Sequence, residues 1–226
     1  MINLKMYING EFCDASDGKK IEVICPEDEH IVGYVPAGTR EDGKRALEAA
    51  QAASYEWMKL PPQTRAEYVK KLRDLLAERK EEYARLLSEE HGKPIREARG
   101  EIDAAVAIMD SAIGWAPRIK GDILYSSKPD EQIAIQRVPY GVVVGISAWN
   151  YPLCLAARKF AIGLVCGNTM VIKPPSLTPL ATMKLGELIH MAGFPKGVFN
   201  MVSGGGSTMG DELVRNPITK MVSLTG

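Results

Sequence analysis

Three groups of polar residues follow apolar runs in the second half of the chain, and their residue types could do chemistry. Trp149 and Asn150 follow the first run, Lys173 and Ser176 follow the second, and a glycine-rich segment, 204–210, follows the third. An asparagine amide can donate a hydrogen bond in a pocket, and a lysine with a hydroxyl can hold ribose hydroxyls or a phosphate. Exposed N–H groups at the start of a helix bind anions. The second and third groups could therefore hold an anion such as phosphate.

A simpler interpretation is open for each group. Asn150 could cap a turn beside a packed Trp149, and Lys173 could extend its amine to solvent, as lysines at strand ends commonly do. The glycine-rich segment does not have the G-x-G-x-x-G spacing and does not follow the first strand. It is therefore weak as a dinucleotide-binding fingerprint.

The periodicity of apolar residues predicts the elements that position these groups. Buried strands are predicted at 141–146, 169–173, 198–202 and 220–224, alternating with helices at 153–166, 178–192 and 207–215. Thr178 and Pro179 are interpreted as the cap of the second of these helices. Strands that alternate with helices through short loops predict a parallel sheet. Such sheets bind ligands beyond the carboxyl ends of their strands, where the three groups lie.

The first half of the chain predicts a hairpin followed by helices. Asn9-Gly10 favours a type I′ turn within 6–12, and a short strand is predicted at 22–24. Thr39 and Asp42 have the spacing of a capping box at the start of a helix. Further helical patterns cover 65–90 and 95–115, and 121–139 predicts a protruding two-stranded arm.

Composition excludes several classes of protein. Lys and Arg total 28 and Asp and Glu total 28, so the net charge is zero, which argues against nucleic acid as a partner. No apolar stretch is long enough for a membrane span and no signal peptide is recognisable, which predicts a cytoplasmic protein without a membrane partner. The cysteines form no C-x-x-C pair, and none of His30, His91 and His190 has a second ligand at metal spacing. No metal site is predicted.

Taken in order, the motifs of the second half resemble the NAD(P)-dependent aldehyde dehydrogenase superfamily. They are Trp149-Asn150-Tyr151-Pro152, Ala157-Arg158-Lys159, Gly167-Asn168-Thr169, Ile172-Lys173-Pro174, Thr178-Pro179, Ala192-Gly193-Phe194-Pro195, Gly197-Val198 and Leu224-Thr225-Gly226. The likeness covers the whole chain, and the nearest enzymes act on lactaldehyde, glyceraldehyde or succinate semialdehyde.

The resemblance implies an α/β fold in which N-terminal helices join an incomplete Rossmann-like parallel sheet with a protruding β arm. Residues 1–120 would form the hairpin and helices of the cofactor-binding domain, and 121–140 an oligomerisation arm. Residues 141–226 would form the cofactor-binding sheet, truncated. An unfinished sheet with an uncovered apolar edge further predicts a homo-oligomer.

The resemblance also implies a reaction and its residues. A cysteine thiolate attacks a small aldehyde, a hydride passes to the nicotinamide of NADP or NAD, and water releases the carboxylic acid from a thioester. Asn150 matches the oxyanion-hole asparagine and Lys159 a lysine of a proton relay. The positions that match cofactor-binding residues are Ile146, Ser147, Ala148, Trp149, Lys173, Ser176, Gly206, Gly210, Thr225 and Gly226.

Three departures from the family pattern refine these expectations. Ala148 replaces the usual proline, which loosens the loop but leaves the Asn150 donor in place. Ser176 stands where NAD-specific members often carry Glu, so we expect NADP to bind at least as well as NAD. The chain ends before the family's general-base glutamate and nucleophilic cysteine, and none of Cys13, Cys25, Cys154 and Cys166 aligns with that nucleophile. We therefore expect this polypeptide alone not to oxidise aldehydes, the alternative being a non-catalytic nucleotide-binding or assembly module.

Overall fold

The N-terminal part of the computed structural model, which describes all 226 residues, contains five short strands. They are β1 (Ile2–Asn3), β2 (Met6–Ile8), β3 (Glu11–Cys13), β4 (Lys20–Ile24) and β5 (Ile31–Pro36). β2 and β3 form the predicted hairpin, and Asn9 (φ 53°) and Gly10 (φ 79°) adopt the left-handed conformation that a type I′ turn requires. β5 pairs with β1 and β4 in a separate three-stranded sheet.

Four helices follow, and their ends obey local rules. They are α1 (Arg40–Lys59), α2 (Pro62–Glu78), α3 (Lys80–His91) and α4 (Ile95–Trp115). The capping box at the start of α1 is confirmed, because the Thr39 side chain accepts from Asp42 N while the Asp42 carboxylate accepts from Thr39 N. The helical stretch predicted over 65–90 is two helices that meet at Arg79. Gly92 (φ 74°) ends α3 in the left-handed conformation.

The arm and the main sheet come next. β6 (Asp122–Tyr125) and β7 (Gln132–Ile135) form an antiparallel pair with every residue exposed, as predicted for a protruding arm. The remaining elements are β8 (Val142–Ile146), α5 (Pro152–Val165), β9 (Thr169–Lys173), α6 (Leu180–Ala192), β10 (Phe199–Met201), α7 (Asp211–Arg215) and β11 (Met221–Leu224). A π-helical turn, Gly206–Gly210, leads directly into α7, so the helix predicted at 207–215 is irregular in its first half.

The main sheet has six strands in the order β11-β8-β9-β10-β2-β3. The pairs among β8, β9, β10 and β11 are parallel, which confirms the predicted parallel sheet. β2 adds to β10 in antiparallel orientation through Met201 and Tyr7. The sequence did not predict this pairing, which joins the two ends of the chain in one sheet.

One hydrophobic core of 53 residues, from Leu4 to Leu213, is shared by the helices of the first half and the sheet of the second. Trp57 Nε1 of α1 donates to the carbonyl of Leu164 at 3.2 Å, and Arg65 Nε of α2 donates to that of Val165 at 3.0 Å. These bonds satisfy carbonyls in the last turn of α5, which has no further turn to accept them. The N-terminal helices are thus fixed to the helix that crosses between β8 and β9.

No helix in the structure combines the length and the apolar content needed to cross a bilayer.

Candidate functional site

A cavity of about 550 Å³ lies at the carboxyl ends of β8, β9 and β10. Four of the predicted cofactor-binding residues, Ile146, Lys173, Gly206 and Gly210, line it together. They come from the ends of β8 and β9 and from the turn after β10, so the parallel topology is what gathers them. The cavity therefore has the position expected for a ligand site in a fold of this class.

Lys173 gives this cavity a buried amine. The residue is 5% exposed, and its Nζ donates only to the carbonyl of Pro174, at 3.2 Å. Burial lowers the pKa of Lys173 because the charged form loses hydration. Next to β9, the buried Oγ of Ser147 has no hydrogen-bond partner. The Lys173 amine could bond to a ligand that offers oxygen atoms, whereas Ser147 does not line the cavity.

The glycine-rich turn leaves space for that ligand. A Cβ added at Gly206 would meet no atom within 4 Å, and one at Gly210 would come no closer than 3.8 Å to its nearest neighbour. These glycines are therefore not required for packing within the chain. Without side chains, both leave the floor of the cavity open for close approach to the backbone.

Arg215 also lines the cavity, although it was not selected from the sequence, and Arg40 lies beside it. Asp211 also lines the cavity, but its carboxylate is 2.7 Å from Arg40 and 2.5 Å from Arg215, and hydrogen bonds from these guanidinium groups lower its pKa. Arg40 further donates to the carbonyl of Ser207 at 3.1 Å. Glu212 also approaches Arg40, at 3.9 Å, so two carboxylates balance the two guanidinium groups, and Arg215 is the arginine that a bound phosphate could reach from the cavity. The signal available in the sequence was Arg215, one helical turn beyond the glycine-rich segment.

Other predicted cofactor-binding residues lie at the same edge of the sheet with partners of their own. Ser176 Oγ donates to the carbonyl of Gly204 at 3.2 Å, so its hydroxyl must rotate to meet a phosphate. Trp149 is 56% exposed and stacks on His91 with ring centroids 5.9 Å apart. Thr178 Oγ1 donates to the carbonyl of Trp149 at 3.1 Å.

That bond corrects the interpretation of Thr178 as a helix cap. α6 has no side-chain cap from its own segment. Glu90 at the end of α3 supplies it instead, because its carboxylate accepts from Leu180 N at 2.6 Å and from Ala181 N at 2.9 Å. Burial raises the pKa of Glu90 to about 8, although these two N–H donors act in the opposite direction.

The loop that carries Asn150 is held from below by a buried ion pair. Lys93 Nζ lies 2.7 Å from the carboxylate of Glu101 and donates to the carbonyl of Asn150 at 2.8 Å. Glu101 also accepts from Leu153 N at 2.9 Å and from Cys154 N at 3.2 Å, at the start of α5. The backbone of Asn150 is thereby fixed to α4, while its exposed side-chain amide makes no hydrogen bond within the chain.

Lys159 lies apart from the four cavity residues. It lines a second, larger cavity of about 900 Å³ between α5, β11 and the base of the arm, which contains none of the predicted cofactor-binding residues. Its Nζ donates to Oγ1 of Thr225 at 2.6 Å, and burial, with a smaller contribution from Arg158, lowers its pKa. Gly145 permits this packing, since a Cβ there would be 3.2 Å from two atoms of Lys159. Only the smaller cavity joins the strand ends to the glycine-rich turn.

None of the four cysteines is in a disulfide. Burial raises the pKa of Cys13, Cys154 and Cys166, which disfavours the thiolate that a nucleophile requires. Cys25 lies instead beside Asp28 and His30. The sequence analysis gave His30 no partner at metal spacing, although the order Cys25-x-x-Asp28-x-His30 was a usable signal.

Comparison with known proteins identifies the family. A model of the aldehyde dehydrogenase family matches residues 12–226. The 3,6-anhydro-alpha-L-galactose dehydrogenase of Vibrio sp. (strain EJY3) is 42% identical over 226 residues, which are 100% of this chain and 47% of that protein.

Two solved structures agree. Lactaldehyde dehydrogenase from Escherichia coli is 38% identical with a TM-score of 0.95, and the match covers 97% of this chain and 46% of the other. NADP-dependent glyceraldehyde-3-phosphate dehydrogenase from Bacillus halodurans C-125, complexed with NADP, is 34% identical with a TM-score of 0.96, covering 100% and 48%. The parallel sheet and its cavity define a Rossmann-like dinucleotide-binding fold.

The chain belongs to the aldehyde dehydrogenase family, whose members are NAD(P)-dependent oxidoreductases. It spans about half the length of the relatives it matches.

Proposed function

We propose that residues 1–226 supply the cofactor-binding portion of an NAD(P)-dependent aldehyde dehydrogenase, which converts a small aldehyde to a carboxylic acid. The observation that carries this proposal is the 550 Å³ cavity that joins Ile146, Lys173, Gly206 and Gly210 at the carboxyl ends of the parallel strands. The buried amine and the open glycine-rich turn fit a ligand with ribose hydroxyls and phosphates.

Each group has a role in this proposal. Lys173 donates to ribose hydroxyls, and the turn before α7, with Arg215 at its rim, holds phosphate oxygens. The bound nicotinamide supplies the hydride acceptor. Asn150 presents its free amide to the oxyanion that forms from the aldehyde oxygen when the carbon is attacked. Removing such a donor typically lowers turnover by about 10²–10³. Lys159 and Thr225 form a hydrogen-bonded pair through which a proton can move.

We further propose that NADP binds at least as well as NAD. Position 176 carries a hydroxyl without negative charge, so a 2′-phosphate meets no repulsion there. In the variant Ser176→Glu a carboxylate would lie beside that phosphate, and NADP affinity should fall while NAD affinity is retained. Equal losses for both cofactors would contradict the proposed role of Ser176.

Isothermal titration of the purified chain with NADP⁺ and NAD⁺ tests the cofactor site. Lys173→Met removes a charge-assisted hydrogen bond of about 1.5–3 kcal/mol, which corresponds to about 10–150-fold weaker binding. Lys184→Met is the matched control, because Lys184 is also a buried lysine but pairs with Glu82 and Glu187 on another face of the molecule. The proposal fails if the chain binds neither cofactor, or if both variants weaken binding equally.

We propose that none of the four thiols is the catalytic nucleophile, so residues 1–226 alone do not oxidise aldehydes. The raised pKa of three thiols and the position of Cys25 in a hairpin turn support this. The test is NAD(P)H formation by the purified chain with lactaldehyde, together with the four single Cys→Ser variants. Turnover that one of these substitutions abolishes would overturn it.

A role in assembly has separate support. In the arm, Ile123 is 73% exposed and Tyr125 is 91% exposed, and β11 is an edge strand with exposed Val222 and Leu224. We propose that 121–140 acts as an oligomerisation arm between copies of this chain. Light scattering after size exclusion should show an oligomer that Ile123→Asp with Tyr125→Asp converts to monomer, whereas Lys128→Glu at the tip leaves it intact. A wild-type monomer would contradict this.

We also propose a division of the chain into three parts of one larger enzyme. Residues 1–120 are the cofactor-domain helices, 121–140 the arm and 141–226 the sheet. The four free cysteines suit a reducing compartment, so we propose a cytoplasmic location.

A further inference from the structure

A cluster of metal-binding side chains lies in the turn between β4 and β5, and none of its residues lines the cofactor cavity. Cys25 Sγ, a carboxylate oxygen of Asp28 and a ring nitrogen of His30 all lie within 4.8 Å of one another. Thiolate, imidazole and carboxylate are the ligand types that Zn²⁺ takes in proteins. Such a mixed set distinguishes the cluster from the exposed acidic groups that are common on protein surfaces.

The turn that carries the cluster is held together by its own backbone. Cys25 N donates to the carbonyl of His30 at 2.9 Å, and Glu29 N donates to that of Cys25 at 2.9 Å. Glu29 adopts the left-handed conformation (φ 62°), which is uncommon for a residue other than glycine. This conformation folds the chain back so that Asp28 and His30 lie beside Cys25. The three ligand atoms are thus already gathered before any ion binds.

The two ring nitrogens of His30 have different partners. Nδ1 contacts the Asp28 carboxylate, and Nε2 lies 3.0 Å from the carboxylate of Glu89 on α3. Metal-bound histidines usually donate their second ring N–H to a carboxylate, which fixes the tautomer and the ring orientation. Glu89 provides this carboxylate, and it connects the turn to the helix that also carries Glu90 and His91.

The cluster is buried on the side of Cys25 and exposed on the side of Asp28 and His30. Cys25 is buried at 4% exposure, whereas the side chains of His30 and Asp28 are 43% and 63% exposed. An ion seated between them has the thiolate on its inner side and water on its outer side. Three protein ligands plus one water complete the four positions of a tetrahedral ion.

We propose that Cys25, Asp28 and His30 bind a divalent ion such as Zn²⁺, and that the Glu89 carboxylate orients His30. The ion ties the β4–β5 turn to α3. This metal site does not depend on the cofactor cavity or on the proposed dehydrogenase function.

The experiment titrates the chelator-treated chain with Co²⁺, a spectroscopic probe for such sites. Binding should produce a thiolate-to-cobalt charge-transfer band in the near ultraviolet, and Zn²⁺ should abolish the band while Mg²⁺, which prefers oxygen ligands, should not. Cys25→Ser should remove the band. Cys13→Ser and Cys166→Ser are matched controls and should retain it, because those partly exposed thiols have no imidazole and carboxylate partners in the cluster.

Two further variants lie on the exposed side and are expected to leave folding unchanged. His30→Gln should abolish the band, and Glu89→Gln should weaken cobalt binding about 10–100-fold. Thermal unfolding curves of the metal-free variants establish that each is folded. The proposal is overturned if no charge-transfer band forms, if the band survives in Cys25→Ser or His30→Gln, if Mg²⁺ displaces cobalt, or if Glu89→Gln binds like the wild type.

Discussion

Breaking the buried pair of Lys93 and Glu101 should strongly destabilise the folded chain. Glu101 is 0% exposed, and its carboxylate receives the Lys93 ammonium at 2.7 Å and two backbone N–H groups at 2.9 and 3.2 Å. Glu101→Gln keeps the shape and one acceptor oxygen, but it leaves the lysine charge without its partner. Removing one member of a buried pair typically costs about 3–5 kcal/mol. We expect a loss of about 3 kcal/mol in the free energy of unfolding.

Urea unfolding at neutral pH measures this loss as a lower midpoint at unchanged m-value. The control is Arg99→Gln, which breaks an exposed ion pair between α4 and α3, where Arg99 meets Glu81 at 2.8 and 2.9 Å. Exposed pairs contribute about 0.2–1 kcal/mol.

Lys93→Met and the double variant complete a double-mutant cycle. The double variant should lose less stability than the sum of the two single losses, because it leaves no unpaired charge. The reasoning is refuted if Glu101→Gln costs no more than Arg99→Gln.

The other predictions concern pH and close packing. Between pH about 4.5 and 8 the folded chain keeps the proton on Glu90, whereas the unfolded chain loses it. The free energy of unfolding should therefore fall as the pH rises, by at most about 1.4 kcal/mol per pH unit. Above pH 8 it should level off. Glu90→Gln should remove this component from unfolding curves measured across the range, and an unchanged slope would contradict the raised pKa. Gly145→Ala should lose about 1–3 kcal/mol, since its Cβ would lie 2.5 Å from buried Ile172 Cδ1. Gly100→Ala, in the middle of α4 with open space around it, should gain about 0.4–1 kcal/mol. Thermal unfolding of the two variants measures both, and the same sign for both would count against the packing argument.

Local features of the fold were predictable from the sequence because their causes lie within a few residues. The Asn9-Gly10 turn and the Thr39–Asp42 capping box both occur as expected. The alternation of apolar strands with helices likewise predicted the parallel sheet and the edge at which the site lies.

Long-range features were not predictable. α5 begins with Pro152 and has no side-chain cap of its own, and its cap, Glu101, is 52 residues away. Glu90 is 90 residues from the helix it caps, which is why Thr178 was misinterpreted as the cap. Both glutamates lie in helical patterns that predict ordinary charged surfaces, and only the packing of α3 against α6 and of α4 against α5 buries them.

Within the site, the residues that follow strands were predictable and their partners were not. Lys173 and Gly206 could be selected because each follows an apolar run in a sheet of known polarity. Arg40, which pairs with Asp211 at the rim, begins a helix in the other half of the chain. Its contribution depends on how α1 packs beside α7.

The central claim is that a dinucleotide lies in the cavity at the carboxyl ends of the parallel strands. Gly206→Val tests it most directly, because the added side chain meets no protein atom within 4 Å of its Cβ and projects into that cavity. Gly100→Val is the control, since it also has open space but lies on α4. In calorimetric titration, NADP⁺ binding should be lost in Gly206→Val and unchanged in Gly100→Val, with both variants folded. Wild-type affinity in Gly206→Val would contradict the assignment of the cofactor to this cavity.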